Sequence, residues 1–313
     1  MALMLILSGT TGCLSSLNKR GIALATAIAP VTDQAGSAYR SANAIHIMRS
    51  DYDAIAAFDA PAPAPAYNPR IIQPLLSDKD IEIRLAVLAA FQAYADSVVA
   101  ITTNTDTPQL QAAANAAGER LAHLGNAVAP SIESTLGFAG SSTQTAPTAA
   151  QSDPITPTIR NGITTAVDAL GQFLINRRIK KELHHTILSM DPQLKLLCDL
   201  MQSDIAILQG IEDRDYNSIL NRQTLFLREN SGKIDAAERQ RLILQLPAIA
   251  RQQQSSDRQL ALLSAAVSRL ELAHHELTAE VLNKNPETLW QKLAELKAAG
   301  TNLASFYSSL PPS

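Results

Sequence analysis

The chain has 313 residues, of which 46% are apolar, 18% are charged and 4% are aromatic, and its formal net charge is −3. This apolar content allows a sizeable core and excludes an intrinsically disordered protein, while the slightly acidic balance gives no indication of a nucleic-acid partner. Abundant Ala and Leu with few aromatic residues favour long helices over sheets.

The first residues, MALMLILSGTTGC, combine an apolar stretch with a short segment of Gly and Thr that ends at Cys13. Residues 1–12 resemble the apolar core and cleavage region of a signal peptide, although a positively charged start is missing. The sequence TTGC, ending at Cys13, is similar to the lipobox of bacterial lipoproteins, in which Leu is usual at the position of Thr10. The resemblance implies that Cys13 carries a lipid that anchors the mature chain.

The second cysteine fits this interpretation, because an acylated Cys13 leaves Cys198 without a disulfide partner in the chain. The apolar neighbours of Cys198 predict a buried thiol. The sequence has no run of about 20 apolar residues, so we expect no membrane-spanning helix in the mature chain. We therefore expect a protein of the periplasm or outer membrane that is held to the membrane by its lipid and contacts another envelope protein.

Residues 14–138 form the first predicted helical segment after the degenerate signal and lipobox of residues 1–13. The pattern of residues 15–58 predicts a helix that Pro30 kinks or divides. Residues 59–69 alternate Pro and Ala, which is typical of an extended linker.

Two further helices are predicted in this segment. Ser77 is a favourable N-cap, and the helix that follows it should end near Thr102. Pro108 occupies the first position of the next helix, which carries apolar residues at heptad spacing and should end at Pro130.

Residues 139–157 are of low complexity and predict a flexible linker, which we take as the main internal division. The remaining residues, 158–313, predict a bundle of long helices. The first of these covers residues 158–190, and Asp191 with Pro192 should end it and begin a second helix over 192–230.

The longest predicted helix covers residues 235–283, and another begins at Pro286. Polar Gln253, Ser256 and His274 interrupt the apolar seam of the longest helix, where a polar residue can fix the register of packing. The seam consists of Leu242, Leu246, Ile249, Gln253, Ser256, Leu260, Leu263, Val267, Leu270, His274, Leu277 and Val281. Short turns at 191 and 231–234 would force antiparallel neighbours, so we predict an all-α, elongated antiparallel bundle with coiled-coil-like helices.

Two Glu-x-x-His motifs raise the possibility of a metal site: Glu182 with His185, and Glu271 with His274. Each motif places its two side chains on one helical face, and the pair resembles the ligand pattern of ferritin-like di-iron carboxylate proteins. That resemblance implies a transition metal held by these four residues.

The same motifs have a simpler interpretation. The family pattern also needs a lone glutamate on each of the two other helices, and none lies at an obvious matching level. With a turn at 191, His274 would lie about 15 Å beyond the level of Glu182 at about 1.5 Å per residue. His274 in the seam faces inward and His185 faces water, so we favour a role in packing register for His274 and expect no cofactor.

The basic cluster Arg177, Arg178, Lys180 and Lys181 has two interpretations as well. It could bind anionic lipid headgroups or an acidic partner. It could also be a solvated helix face near a carboxyl end, where positive charge offsets the helix dipole, and we favour this interpretation.

No glycine-rich phosphate loop, nucleophile elbow or HExxH motif is present, and only 13 glycines occur in the chain. We identify no catalytic residue. The sequence favours a cell-envelope lipoprotein that acts as a non-catalytic scaffold, spacer or partner-binding bundle. The alternatives are a ferritin-like metal-binding protein and a secreted helical effector that acts on membranes.

Overall fold

A computed structural model describes residues 10–58, 72–103, 108–140, 157–176, 183–283 and 286–309. These residues form seven helices and contain no β-strand, so the all-α prediction is confirmed. The elongated, coiled-coil-like shape stays a prediction. The helices are α1 (Thr10–Phe58), α2 (Asp78–Thr103), α3 (Pro108–Gly140), α4 (Pro157–Asn176), α5 (Leu183–Glu229), α6 (Ala236–Asn283) and α7 (Pro286–Ser308).

Helix α1 packs against α2, α5, α6 and α7. It runs parallel to α5, because His46 contacts Asp215 and, further along both helices, Asp53 contacts Arg222. All seven helices contribute side chains to one apolar core.

Helix α2 begins at a capping box. The Asp80 N–H donates to the Ser77 hydroxyl at 3.1 Å, and the Ser77 N–H donates to the Asp80 carboxylate at 3.0 Å, which confirms the predicted N-cap. Just before it, the Asn43 amide makes two hydrogen bonds of 2.7 Å with the main chain of Leu76. These bonds fix the start of α2 against the middle of α1.

Helix α2 is long and apolar enough to cross a membrane, with a mean hydropathy of 1.6 over Asp78–Thr102. This finding departs from the prediction that the mature chain has no membrane-spanning helix. However, 61% of the apolar window is buried inside the protein. Such burial is typical of a core helix in a bundle.

Helices α5 and α6 form an antiparallel hairpin around the turn at residues 230–235, close to the predicted boundaries. Gln209 binds Asp257 and Gln253 binds Asp213, so positions ascend in α5 as they descend in α6. The predicted seam of α6 faces the protein interior along most of its length. Its buried members are Ile249, Ser256, Leu260, Leu263, Val267, Leu270, His274 and Leu277.

The boundaries predicted at Pro130 and Pro192 are wrong, because both prolines lie inside helices, and Pro30 does not divide α1, which continues through it. An interior proline costs about 3 kcal/mol in an isolated helix, which tertiary packing can offset. Beyond Pro130, for example, the Ser131 hydroxyl donates to the Asp80 carboxylate at 2.6 Å and holds α3 against α2.

The predicted break at Asp191 is also wrong, because Asp191 and Pro192 lie inside α5. The predicted helix over 158–190 corresponds to α4 and the first part of α5, and residues 177–182 between them lie outside the described residues. Asp191 does not cap a helix, since its carboxylate binds side chains of α6. The predicted offset of about 15 Å between Glu182 and His274 assumed a turn at residue 191, so it does not apply.

The ends of other predicted segments differ in detail. Helix α1 begins at Thr10, before the predicted start at residue 15, and α3 extends to Gly140. The Pro/Ala linker of residues 59–69 and most of the predicted linker 139–157 lie outside the described residues. The division into two segments stays a prediction.

Helices α3 and α4 approach closely at two glycines. A Cβ atom on Gly118 would lie 3.0 Å from the Gly171 carbonyl oxygen and 2.9 Å from the Ile175 Cγ1 atom. The Gly171 oxygen belongs to the main chain and cannot move aside without shifting α4. Only glycine at position 118 therefore allows this helix spacing.

We expect Gly118→Ala to lower the free energy of unfolding by about 1–3 kcal/mol through overpacking, despite the higher helix propensity of Ala. Gly210→Ala in α5 is the matched control, because a Cβ atom on Gly210 would have no neighbouring atom within 4 Å. It should raise stability by about 0.5–1 kcal/mol. Urea unfolding followed by circular dichroism measures both; equal effects of the two substitutions would contradict the close α3–α4 contact.

Candidate functional site

The four predicted metal ligands do not form a described metal site. Glu182 lies outside the described residues, His185 is exposed and His274 is buried. Glu271 binds Lys195 at 2.8 Å. Among the described residues, no group of three or more His, Cys, Asp or Glu side chains could hold a metal ion.

The basic cluster of residues 177–181 also lies outside the described residues. Its role at a membrane, at an acidic partner or on a solvated face stays a prediction.

His274 is the centre of a hydrogen-bonded chain that joins α2, α5 and α6. Its Nε2 atom lies 3.0 Å from the Tyr94 hydroxyl, and its Nδ1 atom lies 3.0 Å from one Asp191 oxygen. The exposed neighbour His275 contacts the other Asp191 oxygen, also at 3.0 Å. The inward orientation predicted for His274 is confirmed.

The protonation states of this chain follow from its surroundings. Burial acts to raise the pKa of Asp191, but hydrogen bonds from His274 and His275 lower it to about 2. Burial lowers the pKa of His274, so at neutral pH its ring is neutral. An ionised Asp191 accepts the Nδ1 proton, and Nε2 is left to accept a hydrogen bond from Tyr94.

A small cavity beside His274 has room for about one water molecule. Its wall includes Cys198 and Glu271. Burial, reinforced by the nearby Glu271, raises the pKa of Cys198, so the thiol stays protonated and is a weak nucleophile. Cys198 is fully buried, as predicted. The arrangement links helices and contains no activated nucleophile among its described residues.

A second buried cluster, centred on Arg84, was not found from the sequence. The guanidinium makes two hydrogen bonds of 2.7 Å to the Asp204 carboxylate, and both side chains are only 1% exposed. A third bond, of 2.9 Å, reaches the Ser131 hydroxyl. The cluster joins α2, α5 and α3. The feature of the sequence that could have indicated this cluster is the single arginine within the apolar sequence of α2.

A third polar cluster lies where α1 meets α5 and α6. The His46 Nδ1 atom lies 2.6 Å from an Asp215 oxygen, and Arg49 approaches the same carboxylate at 3.9 Å. Glu212 lies one turn before Asp215 and is 2% exposed. This cluster was also missed, because its members lie far apart in the chain.

Comparison with known proteins finds no match: no protein-family model, curated protein or solved structure is significantly similar to the chain.

We expect Asp204→Ala to lower the free energy of unfolding by about 3–5 kcal/mol, because it leaves the Arg84 charge buried without its carboxylate. Glu82→Ala, on the same helix as Arg84, is the control, since it removes an exposed ion pair with Arg120. It should change stability little. Chemical denaturation measures both, and a small effect of Asp204→Ala would contradict the buried pair.

Proposed function

We propose that this chain is a cell-envelope lipoprotein, anchored through a lipid on Cys13, and that its helical bundle acts as a non-catalytic scaffold or spacer. It would act in the periplasm or at the outer membrane and hold an envelope protein as its partner.

The main support for a scaffold is the use of the buried polar groups. Tyr94, His274 and Asp191 bind one another across three helices, and Arg84 binds Asp204 across two. These side chains hold helices together and do not converge on a cavity large enough for a substrate. A bundle fixed at several levels by such contacts is suited to keeping its ends at a constant separation.

Helix α1 supports the role of a spacer. Cys13 lies in its first turns and Phe58 is its last residue, so the helix between them is about 70 Å long at about 1.5 Å per residue. Because α1 runs parallel to α5, the end at Phe58 lies near the turn between α5 and α6. A lipid on Cys13 would place this turn far from the anchoring membrane.

The lipid can be tested by expressing the full chain in a bacterial host and measuring its intact mass and its partition between membrane and soluble fractions. We expect wild-type protein in the membrane fraction with the added mass of a lipid. Cys13→Ser should be soluble and unmodified, because the attachment atom is lost. Cys198→Ser is the matched control, and it should remain lipidated.

A Cys13→Ser variant that stays in the membrane fraction would contradict the lipid anchor. Stoichiometric iron or manganese in the purified protein would favour a metal-binding function instead. Permeabilisation of lipid vesicles by soluble protein would favour a membrane-active effector.

A further inference from the structure

Glu212 is a buried acid without a basic partner among the described residues. Its carboxylate oxygens make no well-aligned hydrogen bond to a described donor, although the hydroxyl of Ser256 on α6 lies close enough to lower its pKa in part. The exposed fraction is 2% for Glu212 and 0% for Ser256. By contrast, buried Asp204 binds Arg84 and buried Asp215 binds His46.

The charges that act most strongly on Glu212 are negative. Asp213 and Asp215 are its neighbours on α5, and Asp257 approaches it from α6. Gln253 donates to Asp213 and Gln209 donates to Asp257, so two of these carboxylates have neutral partners.

The basic groups of this region bind other acceptors. On α1, His46 contacts Asp215, and Arg49 lies 2.8 Å from Asp53. On α5, Arg214 donates to the main-chain carbonyl of Gly210. No described salt bridge joins Glu212 to a basic residue.

An ionised carboxylate at this position would be desolvated and close to three other carboxylates. Burial raises the pKa of Glu212 to about 8, with further contributions from Asp257, Asp213 and Asp215, while the Ser256 hydroxyl partly opposes the rise. A proton on Glu212 removes the unfavourable charge. The Ser256 hydroxyl can donate to the carboxylate or accept from the protonated carboxyl group, so burial and the nearby carboxylates, and not Ser256, favour the neutral form.

We propose that Glu212 is a buried proton-binding switch at the junction of α1, α5 and α6. The neutral carboxyl group keeps the three helices packed, and loss of its proton loosens the junction. This goes beyond the proposed scaffold function, because it makes the rigidity of the bundle depend on the pH of its compartment.

The direction of the effect follows from the difference between folded and unfolded states. An unfolded glutamate titrates near its ordinary pKa of 4.5, whereas the folded protein retains the proton to about pH 8. Between these values the folded state binds more protons, so the free energy of unfolding falls as the pH rises. The stabilisation is fully present below the unfolded pKa and is lost as the pH passes the folded one.

The test compares the unfolding equilibrium constants of wild type and Glu212→Gln between pH 4 and pH 10. The glutamine is neutral throughout this range. The ratio of the wild-type to the variant unfolding constant should therefore rise by up to about tenfold per pH unit between about pH 5 and pH 8, and then level off. Glu229→Gln, on the exposed end of α5, is the matched control and should give a ratio that changes little with pH. A ratio for Glu212→Gln that is independent of pH would overturn the proposal.

Two further measurements decide the question if Glu212→Gln does not fold. The side-chain carboxyl ¹³C shift of Glu212 in the wild-type protein should titrate far above the usual range of a glutamate. Asp257→Asn should move that titration to lower pH, because it removes one of the nearby negative charges. Titration of Glu212 at an ordinary glutamate pKa would refute the switch, whatever the behaviour of the variants.

Discussion

Helices α5 and α6 pack in one antiparallel register, and the polar pairs between these two helices depend on it. The register places Asp191 beside His274 near one end of the pair and Gln209 beside Asp257 further along. It also places Glu212 beside Ser256 in the interior. A shift by one turn would move each of these groups by about 5.4 Å and separate every pair. The apolar seam provides burial, and we infer that the polar pairs select this register among those that the seam allows.

The buried polar groups have two different consequences. Where a base meets an acid, as Arg84 meets Asp204, hydrogen bonds compensate the loss of water on both partners and join helices that are distant in the chain. Where an acid has no basic partner, as at Glu212, its charge is unfavourable and a proton takes the place of the missing cation. The same fold thus contains rigid links and, at Glu212, a proposed switch whose contribution to stability changes with pH.

The sequence predicts features that depend on local spacing. It identifies the N-cap at Ser77 and the inward position of His274, because caps and helical faces are set by residues a few positions apart. The sequence-based prediction fails at Pro192, because packing of α5 against other helices outweighs the penalty of a proline inside a helix. It also fails to pair Arg84 with Asp204, since these residues are 120 positions apart and nothing local marks them as partners.

The most direct test of the account is a double-mutant cycle on Asp191 and His274, with Asp191→Ala, His274→Ala and the combined variant compared by chemical denaturation. If this pair fixes the register of α5 and α6, the two substitutions should be coupled by about 1–3 kcal/mol. If the destabilisation of the double variant equals the sum of the two single variants to within about 0.3–0.5 kcal/mol, the two side chains do not act together, and this result would contradict the account.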